Sequence, residues 1–350
     1  MIWHHSRLGD VLTLQRGHDL PNAQRQDGDI PVVSSSGITG YHNEPKASAP
    51  GVVTGRYGTL GEVFYIEQDY WPLNTALYVT DFKGNHPRFI AYFLRNILRN
   101  YKSDKAAVPG VNRNVLHEMK VRFPDTLVQD RIANILSAYD DLIENNRRRI
   151  QLLEQAARLL YKEWFVHLRF PGHEHVKIKN GVPEGWEKKP LGKIAPFNYG
   201  KALKEDDRVS GQVAVYGSSG IVGRHEKALV TGPAIIVGRK GNVGSVYWSS
   251  NDCWPIDTVY YIVRERATLY LFYALLNASF ISTDVAVPGL NRDYAHSRQI
   301  LMPSPFVHSL FEETVMPLHR QIEALERHNA SLAKARDLLL PRLMNGEIAV

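Results

Sequence analysis

Between Ile132 and Trp164 the core-type positions recur in alternating steps of four and three: Ile132, Leu136, Tyr139, Ile143, Asn146, Ile150, Leu153, Ala157, Leu160, Trp164. That spacing is a heptad seam, the stripe along which one helix packs on another. A second run, Phe311, Val315, Leu318, Ile322, Leu325, Asn329, Leu332, Arg336, Leu339, Leu343, keeps the same steps, each member 179 residues after its counterpart. Each seam covers 33 residues, about 50 Å of helix. Pro317 sits early in the second run and is expected to delay the start of that helix. The length and regularity of both stripes call for a partner helix. In a fully overlapped antiparallel pair, facing positions sum to 475, which sets Asn146 opposite Asn329 and Arg336 opposite Tyr139. Two buried amides satisfy each other, whereas a slipped register leaves them unpaired. The guanidinium can lie on the tyrosine ring.

Ahead of each seam the pattern changes to short β-branched and aromatic runs between Gly and Ser turns. Pro31–Val33, Gly51–Thr54, Glu62–Ile66 and Ala76–Thr80 predict strands. Helical spacing follows over 86–100, and over 268–282 in the second half. These runs are written twice. IPVVSSSGITGYHN (30–43) returns 183 residues later as VAVYGSSGIVGRHE, and GVVTGRYGTLGEVFYI (51–66) as AIIVGRKGNVGSVYWS. WPLNTALYV (71–79) returns as WPIDTVYYI, and at an offset of 179 VPGVNR (108–113) returns as VPGLNR. The blocks hold 21 identities in 45 aligned positions, where chance supplies about three. The expected fold class is therefore α+β: two similar globules, each followed by a long helix, the helices antiparallel about a pseudo-two-fold axis. The predicted boundaries are 1–125 for the first globule, 126–166 for the central long helix and 167–189 for a linker rich in Pro and Gly. The second globule takes 190–305 and the distal long helix 306–345.

A chain of 350 residues suits two domains, and 44% hydrophobic residues suffice for two cores. No apolar run approaches the roughly 18 residues of a bilayer span, and the first residues lack the order of a secretory signal. The single Cys253 closes no intramolecular disulfide and reads as a small buried hydrophobe, so a cytoplasmic location is expected. The net charge of +6 favours an acidic partner, of which nucleic acid is the commonest.

Catalytic motifs are scarce. The Gly triplets Gly55-x-x-Gly58-x-x-Gly61 and Gly238-x-x-Gly241-x-x-Gly244 have neither phosphate-loop nor dinucleotide spacing. Pro124-Asp125 and Glu187-x-Lys189 make a poor nuclease pair, and His173 with His175 lacks supporting acids for a metal. What remains suits DNA. The predicted turns carry Ser35, Ser36, Tyr41, His42, Asn43, Arg56, Tyr57, Asn112 and Arg113 in the first copy. In the second they carry Ser218, Ser219, Arg224, His225, Arg239, Lys240, Asn291 and Arg292. Such donors meet phosphates and base edges, and Gly lets backbone approach them; Asn112 and Asn291 fit a capping role equally well. Residues identical between the copies should hold the fold or touch phosphate. Turn residues that differ, Tyr41 against Arg224, Asn43 against Glu226 and Tyr57 against Lys240, are candidates for reading different bases.

These marks, with Leu8-Gly9 and Leu191-Gly192, Pro183-Glu184-Gly185-Trp186, Asn145-Asn146-Arg147-Arg148 and Leu338 to Ile348, make the chain resemble the specificity subunit of type I restriction–modification systems. The resemblance implies that each globule is a target recognition domain reading one half of a bipartite DNA target. It implies that the helix pair is a spacer whose length sets the unread gap, and a docking surface for two methyltransferase subunits, with two restriction subunits completing the assembly. Catalysis would then belong to those partners, with their S-adenosylmethionine, ATP and Mg, and not to this chain. The alternative is a coiled-coil scaffold with two protein-binding domains and no DNA role.

Overall fold

The computed structural model describes residues 3–56, 61–99, 111–278, 280 and 289–350. Tyr57 and most of the Val-Pro-Gly stretch before each Asn-Arg lie outside the described residues. The chain forms two compact units, one of Met1–Arg147 with Glu326–Val350 and the other of Arg148–Leu325.

The first unit contains β1 (Trp3–Arg7), α1 (Leu8–Val11), β2 (Thr13–Arg16), β3 (Ile30–Ser34), β4 (Gly37–His42) and β5 (Gly51–Gly55). It continues with β6 (Val63–Ile66), β7 (Trp71–Pro72), β8 (Ala76–Asp81), α2 (Pro87–Leu98), α3 (Arg113–His117) and β9 (Lys120–Pro124). Its sheets run β2-β8-β5-β6, β4-β3-β7 and β1-β9. After α4 (Thr126–Tyr161), β10 (Ile178–Lys179) and β11 (Val182–Pro183), the second unit repeats the plan. It has β12 (Glu187–Pro190), α5 (Leu191–Ile194), β13 (Asn198–Tyr199), β14 (Val213–Gly217), β15 (Gly220–His225) and β16 (Ala234–Gly238). Then come β17 (Val246–Ser249), β18 (Cys253–Pro255), β19 (Val259–Ile262), α6 (Leu269–Ala278), α7 (Arg292–Ser297), β20 (Gln299–Met302) and α8 (Pro305–Met344). Its sheets, β13-β19-β16-β17, β15-β14-β18 and β12-β20, match the first unit strand for strand.

The apolar runs of β5 and β16 are continuous because both faces of each strand are covered. Val52 joins Leu14, Leu77, Phe89 and Ile90 in the main core, while its neighbour Val53 points to Val33, Tyr70 and Tyr78 on the other side. In β16, Ile235 and Val237 face one core, and Ala234 and Ile236 the other. Cys253 is fully buried in that second core, and burial pushes its thiol up to about 11.

Asp125 caps α4, its Oδ1 accepting from Val128 N at 3.0 Å. The α-helix passes at Tyr161 into a π turn over Lys162–Val166, closed by His167 N donating to Lys162 O at 2.8 Å. The wider turn lets the adjacent Trp164 and Phe165 both bury in the second unit's core. Pro317 does not delay α8, which starts at Pro305 and runs through it. Pro317 and Glu313 are both exposed, so the carbonyl left without an N–H partner faces water.

Within the first unit, Ile132 and Leu136 of α4 share a core with Leu340 and Leu343 of α8, and Asn146 Nδ2 donates to Asn329 Oδ1 at 2.9 Å. Asn146 is 4% exposed. Within the second unit, Trp164 meets Phe311 with ring centroids 5.8 Å apart. Each unit thus holds an antiparallel helix pair, and these contacts share the register read from the seams. Arg336 departs from expectation. Its guanidinium pairs with Asp140 and with Asp337 (2.8 Å) instead of lying on Tyr139, since a carboxylate one position away offers charge-assisted hydrogen bonds. The linker boundary is also corrected: Glu187–Pro190 is a strand paired with β20, and Phe170 and Trp186 are buried in the second core.

Candidate nucleic-acid interface

Three of the repeated blocks meet at one edge of each unit. In the second, Arg239 N and Lys240 N donate to Thr258 O at 2.9 and 3.1 Å, and Leu290 N donates to Arg239 O at 2.8 Å. In the first, Arg56 N donates to Thr75 O at 3.0 Å and Val111 N to Arg56 O at 2.9 Å. The Gly-Arg turn is therefore clamped between the Trp-Pro-x-x-Thr loop and the segment leading into the Asn-Arg pair. In the second unit the Ser-Ser-Gly turn joins them: Asn242 Nδ2 donates to Ser219 Oγ at 3.1 Å, and Ser245 Oγ and Tyr247 OH donate to Ser218 O at 2.7 and 3.1 Å.

The side chains sort by what holds them. His42 and His225 are corrections. Each residue is 6% exposed, and its ring packs edge-on against a tryptophan, Trp71 or Trp254, at 5.2 and 5.4 Å. Their Nδ1 atoms accept from Gln26 N and Val209 N at 3.1 and 3.0 Å, so they fasten loops and cannot face a duplex. Asn112 and Asn291 are helix caps: Asn112 Oδ1 accepts from Asn114 N, and Asn291 Oδ1 from Asp293 N and Tyr294 N. Alternation along β4 and β15 turns Tyr41 and Arg224 outward, one residue before each buried histidine. Arg224 Nη1 donates to Gln212 O at 2.7 Å, and Asn43 Nδ2 to Gln26 Oε1 at 2.8 Å. Ser36 and Ser219 are exposed at their turns, while Ser35 and Ser218 are half-buried. Ser36 N donates to Ser34 Oγ at 3.1 Å, which tightens the first turn. Gly40 and Gly223 are required beside it: φ is +151° and +159°, and a Cβ would stand 2.6 Å from the guanidinium of Arg25 or Arg208 that braces the hairpin.

Arg7, Arg88, Arg158, Arg169 and Arg336 rest on carboxylates. Arg239 and Arg292 of the converging edge do not. Arg239 lies over Tyr199 at 5.0 Å and Tyr260 at 5.7 Å, donating to the Asp257 carbonyl at 3.2 Å. Arg292 lies over the same Tyr199 at 5.1 Å. Neither makes an ion pair among the described residues, and the same holds for Arg16 and Arg113 of the first unit. A guanidinium fixed on an aromatic face without a carboxylate keeps its charge for an anion. His117 and His296 lie beside this edge and stay neutral. Burial, then Arg113 or Arg292, holds each below the usual histidine range, and each Nε2 accepts a backbone N–H, from Leu14 at 2.9 Å and Phe197 at 2.8 Å.

The sequence reading missed Arg16 and Tyr199. They are equivalents, pairing with Leu77 and Tyr260, and each precedes a glycine at the 183-residue offset. Gly17 and Gly200 press against the carbonyls of Leu73 and Ile256, where a Cβ would stand 2.2 or 2.1 Å away. Extending the repeat alignment upstream to those glycines would have found the pair. The remaining candidate chemistry is otherwise engaged: Asp125 caps α4, Glu187 pairs with Lys189, and His173 contacts the Phe170 carbonyl and Glu174.

The family model of the type I restriction modification DNA specificity domain matches residues 2–155 and 183–293, more than half of the chain. The chain belongs to this family, and DNA-sequence recognition is the role the family defines; a scaffold without a DNA role is not favoured. Among its relatives, the MjaIX type I restriction enzyme specificity subunit of Methanocaldococcus jannaschii is 26% identical over 284 residues, covering 71% of this chain and 65% of the relative. The chain thus spans just under two thirds of that relative's length. A putative type I specificity subunit of Mycoplasma pneumoniae is 21% identical, with 89% and 88% of the two chains covered. The crystal structure of the S subunit from M. genitalium has the same fold, with a TM-score of 0.61 at 18% identity over 98% of this chain and 96% of that one.

Proposed function

We propose that this chain is the non-catalytic, sequence-reading subunit of a cytoplasmic type I restriction–modification assembly, each unit reading one half of a bipartite duplex target. The observation that carries the reading is the paired edge: in each copy the same repeated blocks converge, and Arg113, Arg239 and Arg292 stand there without an ion pair among the described residues. Arginine there neutralises phosphates and fixes the register of the unit on the duplex. The outward, unlike residues of the neighbouring hairpins, Tyr41 and Arg224 above all, are placed to meet different base edges.

The methyltransferase and restriction subunits, two of each in this reading, would supply the chemistry with S-adenosylmethionine, ATP and Mg. Among the described residues no helix is long and apolar enough to cross a membrane. Purified chain incubated with S-adenosylmethionine and duplex should transfer no methyl group. Adding a cognate methyltransferase subunit should place methyl groups at a target made of two fixed half-sites separated by an unread gap. DNA binding that is weak and insensitive to salt, with the partner present, would support the scaffold alternative instead.

A further inference from the structure

The two edges differ at one position whose chemistry changes from cation to ring. Tyr199 is about half exposed, and the guanidinium carbons of Arg239 and Arg292 both stand over its ring, 5.0 and 5.1 Å from the centroid. The equivalent place in the first unit is Arg16, on β2 opposite Leu77 of β8, the strand whose other edge pairs with the end of β5 just before Arg56. Two guanidinium groups drawn to one ring are a favourable arrangement of like charges, since the ring's electron-rich surface offsets part of their repulsion. A side-chain hydroxyl fixes the rest: Tyr260 OH donates to Leu290 O at 2.9 Å, binding the segment that leads into Asn291-Arg292 to the strand paired with Tyr199. Arg292 also has a buried Nε that donates to no acceptor among the described residues, so its outer nitrogens are the ones left for an anion.

Resting on the DNA reading above, we propose that Tyr199 is the positioning residue of the second unit, holding Arg239 and Arg292 apart at phosphate-contacting positions, and that Arg16 is a further phosphate contact of the first unit. The two units then grip the backbone differently. The first adds a charge at this place, and the second stiffens its two charges on a ring.

Salt dependence of binding counts phosphate contacts, at about 0.9 in the slope of log Kobs against log salt for each. The test measures binding of the full chain to a fluorescent duplex by anisotropy across a series of NaCl concentrations. Arg16→Tyr should flatten the slope by about one contact and Tyr199→Arg should steepen it by about one. Tyr199→Phe keeps the ring and should bind as the unaltered chain does, whereas Tyr199→Ser should lose about tenfold in affinity with a flatter slope. Arg16→Lys should restore the slope lost in Arg16→Tyr. Because both side chains are exposed, these variants should fold, which the thermal transition checks. Equal damage from Tyr199→Phe and Tyr199→Ser would overturn the positioning role. Unchanged slopes in Arg16→Tyr and Tyr199→Arg, on a parent chain that binds with a steep slope, would overturn the inference and leave the DNA reading intact. A parent chain with no salt-dependent binding would overturn the DNA reading itself.

Discussion

His42 and His225 show how identity between the copies divides at the level of single residues. Both belong to a repeated block and both look like turn donors, yet each ring accepts a backbone N–H from a loop 16 residues away and packs on a tryptophan. Replacing His42 by Ala leaves the Gln26 N–H without its acceptor and should cost about 1–3 kcal/mol in chemical denaturation, with no change in the salt slope of DNA binding. A different histidine, His319, sets a pH dependence. His319 is held at about 4 by burial against Trp248, Phe272 and Tyr273, with Glu323 acting the other way. Its Nε2 and Tyr273 OH lie 2.7 Å apart. The unfolded chain takes up this proton below the ordinary 6.5 and the folded chain does so only near 4, so stability is full above 6.5 and falls as pH drops through that window. The loss from His319 is about 1.4 kcal/mol per pH unit within the window, and His117 and His296 shift it the same way. Denaturation midpoints between pH 7 and 4 check this, and His319→Gln should flatten the curve.

At the scale of elements, the seams were legible because heptad spacing is local and repeats for 33 residues. Asn146 with Asn329 and Trp164 with Phe311 sit as that spacing requires. Asn146→Ala takes the partner from the half-buried Asn329 amide and should cost about 1 kcal/mol, whereas leucine at both positions should restore or raise stability. Asn146→Cys with Asn329→Cys should form a disulfide within one chain, read by mobility on a non-reducing gel. The destination of Arg336 was not legible, because nothing in a seam distinguishes a ring at one position from the carboxylate beside it. The copies have also drifted where α2 and α6 meet the long helices. Tyr92 OH donates to Asp140 at 2.5 Å in the first unit, where Tyr273 meets His319 in the second. Trp248 and Phe272 pack around that histidine, while Tyr65, the counterpart of Trp248, borders an open groove of about 1040 Å³ in the first unit.

For the molecule as a whole, the duplication predicts that the halves of the target are read independently. Exchanging Tyr41 and Asn43 for the Arg and Glu of the second copy should alter one half-site and leave the other unchanged, which methylation mapping with a cognate methyltransferase subunit would reveal. A variant that altered both half-sites would contradict separate reading. The doubled α+β plan, the long helices and the basic turns follow from the amino-acid order alone, since periodicity, repeats and Gly-Ser turns are carried by residues close together in the chain. Which repeated residues serve the fold and which serve the surface was decided only in three dimensions. A ring such as His42 is committed by Trp71, and Tyr199 is met by Arg239 and Arg292 from 40 and 93 positions further on. Burial and partnership at such separations depend on how strands stack and loops converge, and local spacing carries no record of them.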